Sequence, residues 1–164
     1  MTRTFILVRH SKAEDRNNLK NDTDRPLTAE GIADTFKMAD TLLNSGIKPD
    51  TILASTAERA IHTARIFMEV LNIPESDLIV TGKLYYSSAK TILDQVFGLP
   101  DTVNCVMCVA HNPGISDLAR SISAGRVFFM GNTQMVIARY DIDQWHQMRG
   151  QKPGSFSSYK PDGK

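Results

Sequence analysis

A chain of 164 residues with 41% hydrophobic side chains is long enough to form one folded domain, burying about 70% of its unfolded surface without metal or disulfide staples. Nineteen Lys and Arg against eighteen Asp and Glu leave a net charge of +1 with no basic block, which argues against a nucleic-acid partner. No apolar run approaches the roughly 18 residues of a membrane helix, and Phe5–Val8, after Met1-Thr2-Arg3-Thr4, is too short for a secretion signal. A cytoplasmic monomer with no membrane contact is expected.

In chain order, Phe5–Val8 reads as a first strand, and Thr28 to Asn44 has helical periodicity with Ile32, Phe36, Ala39 and Leu43 on one face. Thr28 is placed to cap that helix and Gly46 to end it, with Pro49 beyond. Thr51–Ala54 is a second strand. Ala57 to Leu71 repeats the helical pattern through Ala60, Ile61, Ala64, Phe67, Met68 and Leu71, and stops before Pro74. Leu78–Val80 is a third strand, Ala89–Phe97 a weaker amphipathic helix, and Val103–Ala110 a buried strand. Pro113 suits the first turn of a helix carrying Ile115, Leu118, Ala119 and Ile122. Gln134–Tyr140 is a last strand. From Gln151 onward Gly, Pro, Ser and Lys with isolated aromatics predict an irregular or partly ordered tail, so residues 1–164 are expected to be one domain with 151–164 as that tail. Strands alternating with helices predict a three-layer α/β/α sandwich on a mainly parallel sheet.

The two cysteines, Cys105 and Cys108, have a C-x-x-C spacing. On a strand, residues three apart face opposite sides, so they are expected to be small core hydrophobes rather than a redox or metal pair. Trp145 and His146 are expected to be structural.

In open α/β folds ligands bind beyond the carboxyl ends of the strands. The residues at those positions form a set: Arg9-His10-Ser11-Lys12 after the first strand, Ser55-Thr56 with Arg59 one helical turn on after the second, and His111-Asn112-Pro113-Gly114 after the fourth. Arg25, in the loop before the first helix, can reach the same rim. Two or three arginines supply planar forks to a phosphoryl group, a helix start beside His111 adds backbone donors, and a neutral imidazole is a competent covalent nucleophile.

Arg9-His10-Ser11-Lys12-Ala13 resembles the R-H-x-x-A opening of the histidine phosphatase superfamily, which includes phosphoglycerate mutases and the small SixA-type phosphohistidine phosphatases. Ser55-Thr56-Ala57-Glu58-Arg59-Ala60-Ile61-His62-Thr63-Ala64 is similar to its second motif, S-x-x-x-R-A-x-Q-T-A, and Val109-Ala110-His111-Asn112-Pro113 to its third. The short length and Asp24-Arg25-Pro26-Leu27-Thr28, similar to the D-x-x-R-P-L-T stretch of small members, point to the SixA-type branch. The resemblance implies a phosphoglycerate mutase-like fold. It implies His10 as the phosphorylated nucleophile, Arg9 and Arg59 as phosphoryl ligands, His111 as a stabiliser of transition-state charge, and Arg25 and Asn112 as further phosphate contacts. No metal or organic cofactor is implied.

The chain departs from the pattern at two places. His62 replaces a Gln, and is expected to be a surface residue. More consequentially, Lys83-Leu84-Tyr85-Tyr86-Ser87-Ser88 stands where many members carry a carboxylic acid. Glu14, Asp22 and Asp24, in the loop after the first strand, are the candidate carboxylates to substitute for it. The resemblance thus implies hydrolysis of phosphohistidine in a partner protein, with small phosphomonoesters as the alternative substrate class and a non-catalytic phosphate-binding module as a third reading.

Overall fold

Phe5, Ile6, Leu7 and Val8 are fully buried because β1 (Thr2–Arg9) lies inside a sheet, flanked on both edges and covered on both faces. The chain continues through α1 (Ala29–Asn44), β2 (Thr51–Ser55), α2 (Glu58–Leu71), β3 (Leu78–Thr81), α3 (Ala89–Phe97), β4 (Cys105–Ala110), α4 (Gly114–Ile122), β5 (Met135–Asp141) and β6 (Ser155–Tyr159). This computed structural model describes residues 1–17, 19 and 21–163. The strand order is β3-β2-β4-β1-β5-β6. The first four are parallel, whereas β5 runs antiparallel to β1 and β6 antiparallel to β5.

Strand alternation divides the core. Ile6, Val8, Ile52, Ala54, Met107 and Val109 pack against α1 and α2 on one face, while Phe5, Leu7, Leu53, Val106 and Cys108 pack against α3 and α4 on the other. The result is the expected three-layer sandwich. Cys105 and Cys108 face opposite layers as their spacing predicts, and burial pushes the Cys105 thiol up to about 12 and the Cys108 thiol up as well. Trp145 is buried, with its indole N–H donating to the Val103 carbonyl at 2.9 Å. Among the described residues no helix is long and apolar enough to cross a membrane.

Two expectations need correction. The buried face of α1 is Gly31, Thr35, Met38, Ala39 and Leu42, not the stripe through Ile32, Phe36 and Leu43, of which Leu43 is 49% exposed. Thr28 does cap the helix, its hydroxyl accepting from Gly31 N at 2.9 Å. The helix, however, turns its smallest residue inward, because Gly31 rests against the Lys12 backbone where any Cβ would collide. Thr35 can follow it inside because its hydroxyl donates to the Gly31 carbonyl at 2.7 Å. Secondly, the segment 151–164 is not irregular throughout. Ser155–Tyr159 pairs with β5 from Arg139↔Ser155 to Met135↔Tyr159, because the open edge of β5 supplies backbone partners that polar Ser residues can use as well as apolar ones.

Candidate active site

The sheet register builds the site. Arg9 pairs with Ala110 across β1 and β4, and Ala54 with Val109 across β2 and β4, so β1, β2 and β4 end at one rim and the residues after them become neighbours. The helices that follow β1 and β4 lie on opposite faces of the sheet, which opens a crevice between adjacent strands at a topological switch point. His10 and His111 stand in it with ring centroids 5.0 Å apart. Ser11 fixes this rim: its N–H donates to Thr63 Oγ1 of α2 at 3.0 Å and its hydroxyl to the Gly31 carbonyl of α1 at 2.7 Å.

His10 is 8% exposed. Its Nδ1 is 2.8 Å from the Ser11 carbonyl, which can only accept, so Nδ1 carries the proton and Nε2 presents a lone pair. Burial pushes the His10 pKa down to about 3, and the charges of His111, Arg59 and Arg9 push the same way against the opposing Ser11 bond. His111 is pushed down to about 4, by burial first and then by Arg59. Its Nδ1 accepts from Arg59 Nη2 at 3.4 Å, leaving the Nε2 proton for Ser55 Oγ at 2.7 Å. Both imidazoles are neutral near pH 7.

Arg59, buried in the first turn of α2, is the hub. Nε reaches His10 Nε2 at 3.4 Å, and Nη2 reaches Tyr86 Oη at 3.0 Å and His111 Nδ1. The remaining end grips Asp22, with Nη1 on its carbonyl and Nη2 on Oδ2, both at 3.0 Å. Asp22 also accepts from Arg25 Nη1 at 3.0 Å and from the Tyr85 hydroxyl at 2.5 Å. Burial opposes ionisation of Asp22, but the hydrogen bonds from Tyr85, Arg25 and Arg59 outweigh it and hold the carboxyl well below the usual carboxylate range. Of the three candidate carboxylates, then, Asp22 alone engages Arg59, and as a fixed anion rather than a proton donor. Glu14 and Asp24 are exposed.

These groups line a cavity of about 170 Å³ whose walls include Arg9, His10, Lys12, Arg25, Arg59 and His111. That is below the roughly 300 Å³ at which pockets for drug-sized ligands begin, and the cationic walls suit a small oxyanion. Arg9 donates through Nη1 to the Met130 carbonyl at 3.2 Å, while its Nε is buried with no partner among the described residues, a donor available to an incoming oxygen. Asn112 lies at the wall, with one Nδ2 proton donated to the same Met130 carbonyl at 3.0 Å and Oδ1 accepting from Ser116. His62 is half-buried and makes none of the bonds to Arg59.

Several site residues escape the sequence motifs. Asn132 donates to the His10 carbonyl at 3.1 Å. Tyr86, at φ +48°, stacks on His111 with centroids 4.8 Å apart and planes at 28°. Gly114 explains how Tyr86 gets there: a Cβ at 114 would collide with the Ser87 carbonyl, so only glycine lets the 85–87 segment descend onto the start of α4. No local sequence pattern announces either the close approach or the left-handed backbone.

The family model for the histidine phosphatase superfamily (branch 1) matches residues 5–79. An uncharacterised chloroplastic protein of Arabidopsis thaliana is 28% identical over 137 residues, which cover 77% of this chain and 62% of that relative, so the chain spans less than two thirds of its length. The protein histidine phosphatase SixA complexed with tungstate superposes with a TM-score of 0.80 at 21% identity, over 97% of each chain. SixA from Agrobacterium tumefaciens gives 0.78 at 22%, over 94% of this chain and 97% of its own. A mycobacterial glucosyl-3-phosphoglycerate phosphatase gives 0.63 at 14%, over 98% of each. The residues matched by the family model, a little under half of the chain, hold the first two motifs, and the chain has the phosphoglycerate mutase-like α/β fold seen in SixA, which carries the third motif to the same rim.

Proposed function

We propose that the protein is a phosphatase that hydrolyses phosphohistidine in a partner protein through a phosphorylated His10. The observation that carries this reading is the pairing of a neutral His10, its Nε2 lone pair aimed at Arg59, with a carboxylate, Asp22, that is held ionised. In the first half-reaction His10 Nε2 attacks phosphorus. Arg9, Arg25 and Arg59 take the equatorial oxygens, with the neutral His111 ring beside them. In the second, water attacks the phosphohistidine and phosphate leaves. Such fixed donors are typically worth about 10²- to 10³-fold each.

The state of Asp22 favours a P–N substrate. An alkyl phosphate must expel a strongly basic alkoxide, for which a positioned acid is worth about 10²- to 10⁴-fold. A phosphoimidazole protonated on its far nitrogen leaves instead as a neutral ring whose conjugate acid has a pKa near about 6.5. The test is phosphate release from a phosphohistidine peptide and a phosphoserine peptide side by side. EDTA is present throughout, since the scheme draws on no metal. Release from phosphohistidine at least about 10²-fold faster is expected. Comparable rates would point to small phosphate esters as substrates, and binding without release to a non-catalytic module.

A further inference from the structure

Tyr86 lies in the cavity wall, and the scheme above leaves its hydroxyl unused. Its hydroxyl accepts from Arg59 Nη2 at 3.0 Å, and it donates its own proton to no described residue. The ring is fixed on one face by His111 and at an edge by Tyr85, 4.8 Å between centroids in each case, with the Arg59 guanidinium 5.7 Å from its centre. Yet the residue is 51% exposed, which places it at the mouth. A bulky residue with positive φ is an outlier that the surroundings must enforce, and such strain collects at functional positions.

The other acids near the cavity are engaged elsewhere. Asp22 is ionised, the His111 Nε2 proton is spent on Ser55, and Lys12 is paired with Glu30 at 2.7 Å. The Nε/Nη2 edge of Arg59 spans His10 at one end and Tyr86 at the other. A phosphoryl group seated on that edge has the nucleophile on one side and the phenol on the side where the leaving group departs.

We propose that the Tyr86 hydroxyl is the proton donor to the leaving group, and that it gives this cavity activity on phosphate monoesters beside its P–N activity. The proposal rests on the phosphatase reading. As His10 Nε2 forms its bond to phosphorus, the bond to the leaving oxygen breaks. The electron pair stays on that oxygen, which takes the Tyr86 proton and departs as an alcohol. Arg59 Nη2 holds the phenolate. Water then attacks phosphorus, the P–N bond to His10 breaks, and the phenolate takes the water proton, which restores Tyr86 and neutral His10 and releases phosphate. A phenol is a weaker acid than a carboxylic acid but stronger than an alcohol, so its help grows with the basicity of the leaving group.

The experiment is Tyr86→Phe, which keeps the ring on His111 and removes only the hydroxyl. It is assayed as kcat/KM on phosphohistidine, p-nitrophenyl phosphate, phenyl phosphate and glycerol phosphate at one pH. The expected loss is a few fold on phosphohistidine and rises to about 10² or more on glycerol phosphate, so that the dependence on leaving-group pKa steepens. An equal loss on all four substrates, or no loss on glycerol phosphate, overturns the proposal. Absence of phosphate release from every substrate by the wild type overturns the phosphatase reading itself, and the two failures are told apart by that wild-type control.

Discussion

Burying an imidazole beside two guanidiniums and a second imidazole keeps it neutral, and the same placement couples His10 to stability. His10 titrates near 3 in the fold against 6.5 ordinarily. On acidification the unfolded chain therefore takes up this proton first. Stability that is fully present above pH 6.5 is lost as the pH falls from there towards 3. His10→Ala removes that penalty. Between pH 7 and 4.5 the wild type is expected to lose about 2 kcal/mol more stability than the variant, read from urea midpoints at the two pH values. Parallel losses would mean that His10 is not held neutral by its surroundings. Asp22 has the opposite role at this scale, since its fixed charge orients Arg25 and Arg59 without taking part in proton transfer.

At the scale of elements, two glycines set how closely helices approach the catalytic loops. Gly31 lets α1 rest on the Lys12 backbone, and Gly114 lets α4 start beneath Ser87. Gly114→Ala should cost about 1–3 kcal/mol, the usual range for overpacking against atoms that cannot move aside. It should also reduce kcat/KM, because the displaced segment carries Tyr86 off His111. Gly98→Ala is the control, as its Cβ would meet only the Asp94 and Gln95 carbonyls at an ordinary 3.7 Å. Thermal melts and initial rates of the two variants check this, and equal behaviour would contradict it. These glycines also mark where sequence reading stops. His10, Arg59 and His111 were legible because each directly follows or closely succeeds an apolar run, and strand ends are where ligands bind. Tyr86 and Asn132 were not, since tertiary contacts far along the chain place them. The α1 face departs from its hydrophobic periodicity because a glycine, Gly31, is the residue that packs closest.

For the molecule as a whole, the parallel direction of β1 to β4 follows from alternating strands and helices, whereas β6 does not. Phe156 and Tyr159, three apart, pack on opposite faces of the sheet, so the segment lacks any apolar run and reads as irregular until β5 offers its edge. The topology explains why one catalytic centre arises where it does. Adjacent β1 and β4 send their helices to opposite layers, and His10 and His111 follow those two strands. The central claim is that His10 forms a covalent bond to phosphorus. Rapid quenching of turnover on radiolabelled phosphohistidine, under alkaline conditions that preserve P–N bonds, tests it most directly. The wild type should carry an acid-labile label on His10 that decays as phosphate appears, while His10→Ala carries none and loses several orders of magnitude in rate. Turnover without a labelled intermediate, or near-normal rates in His10→Ala, would contradict the account.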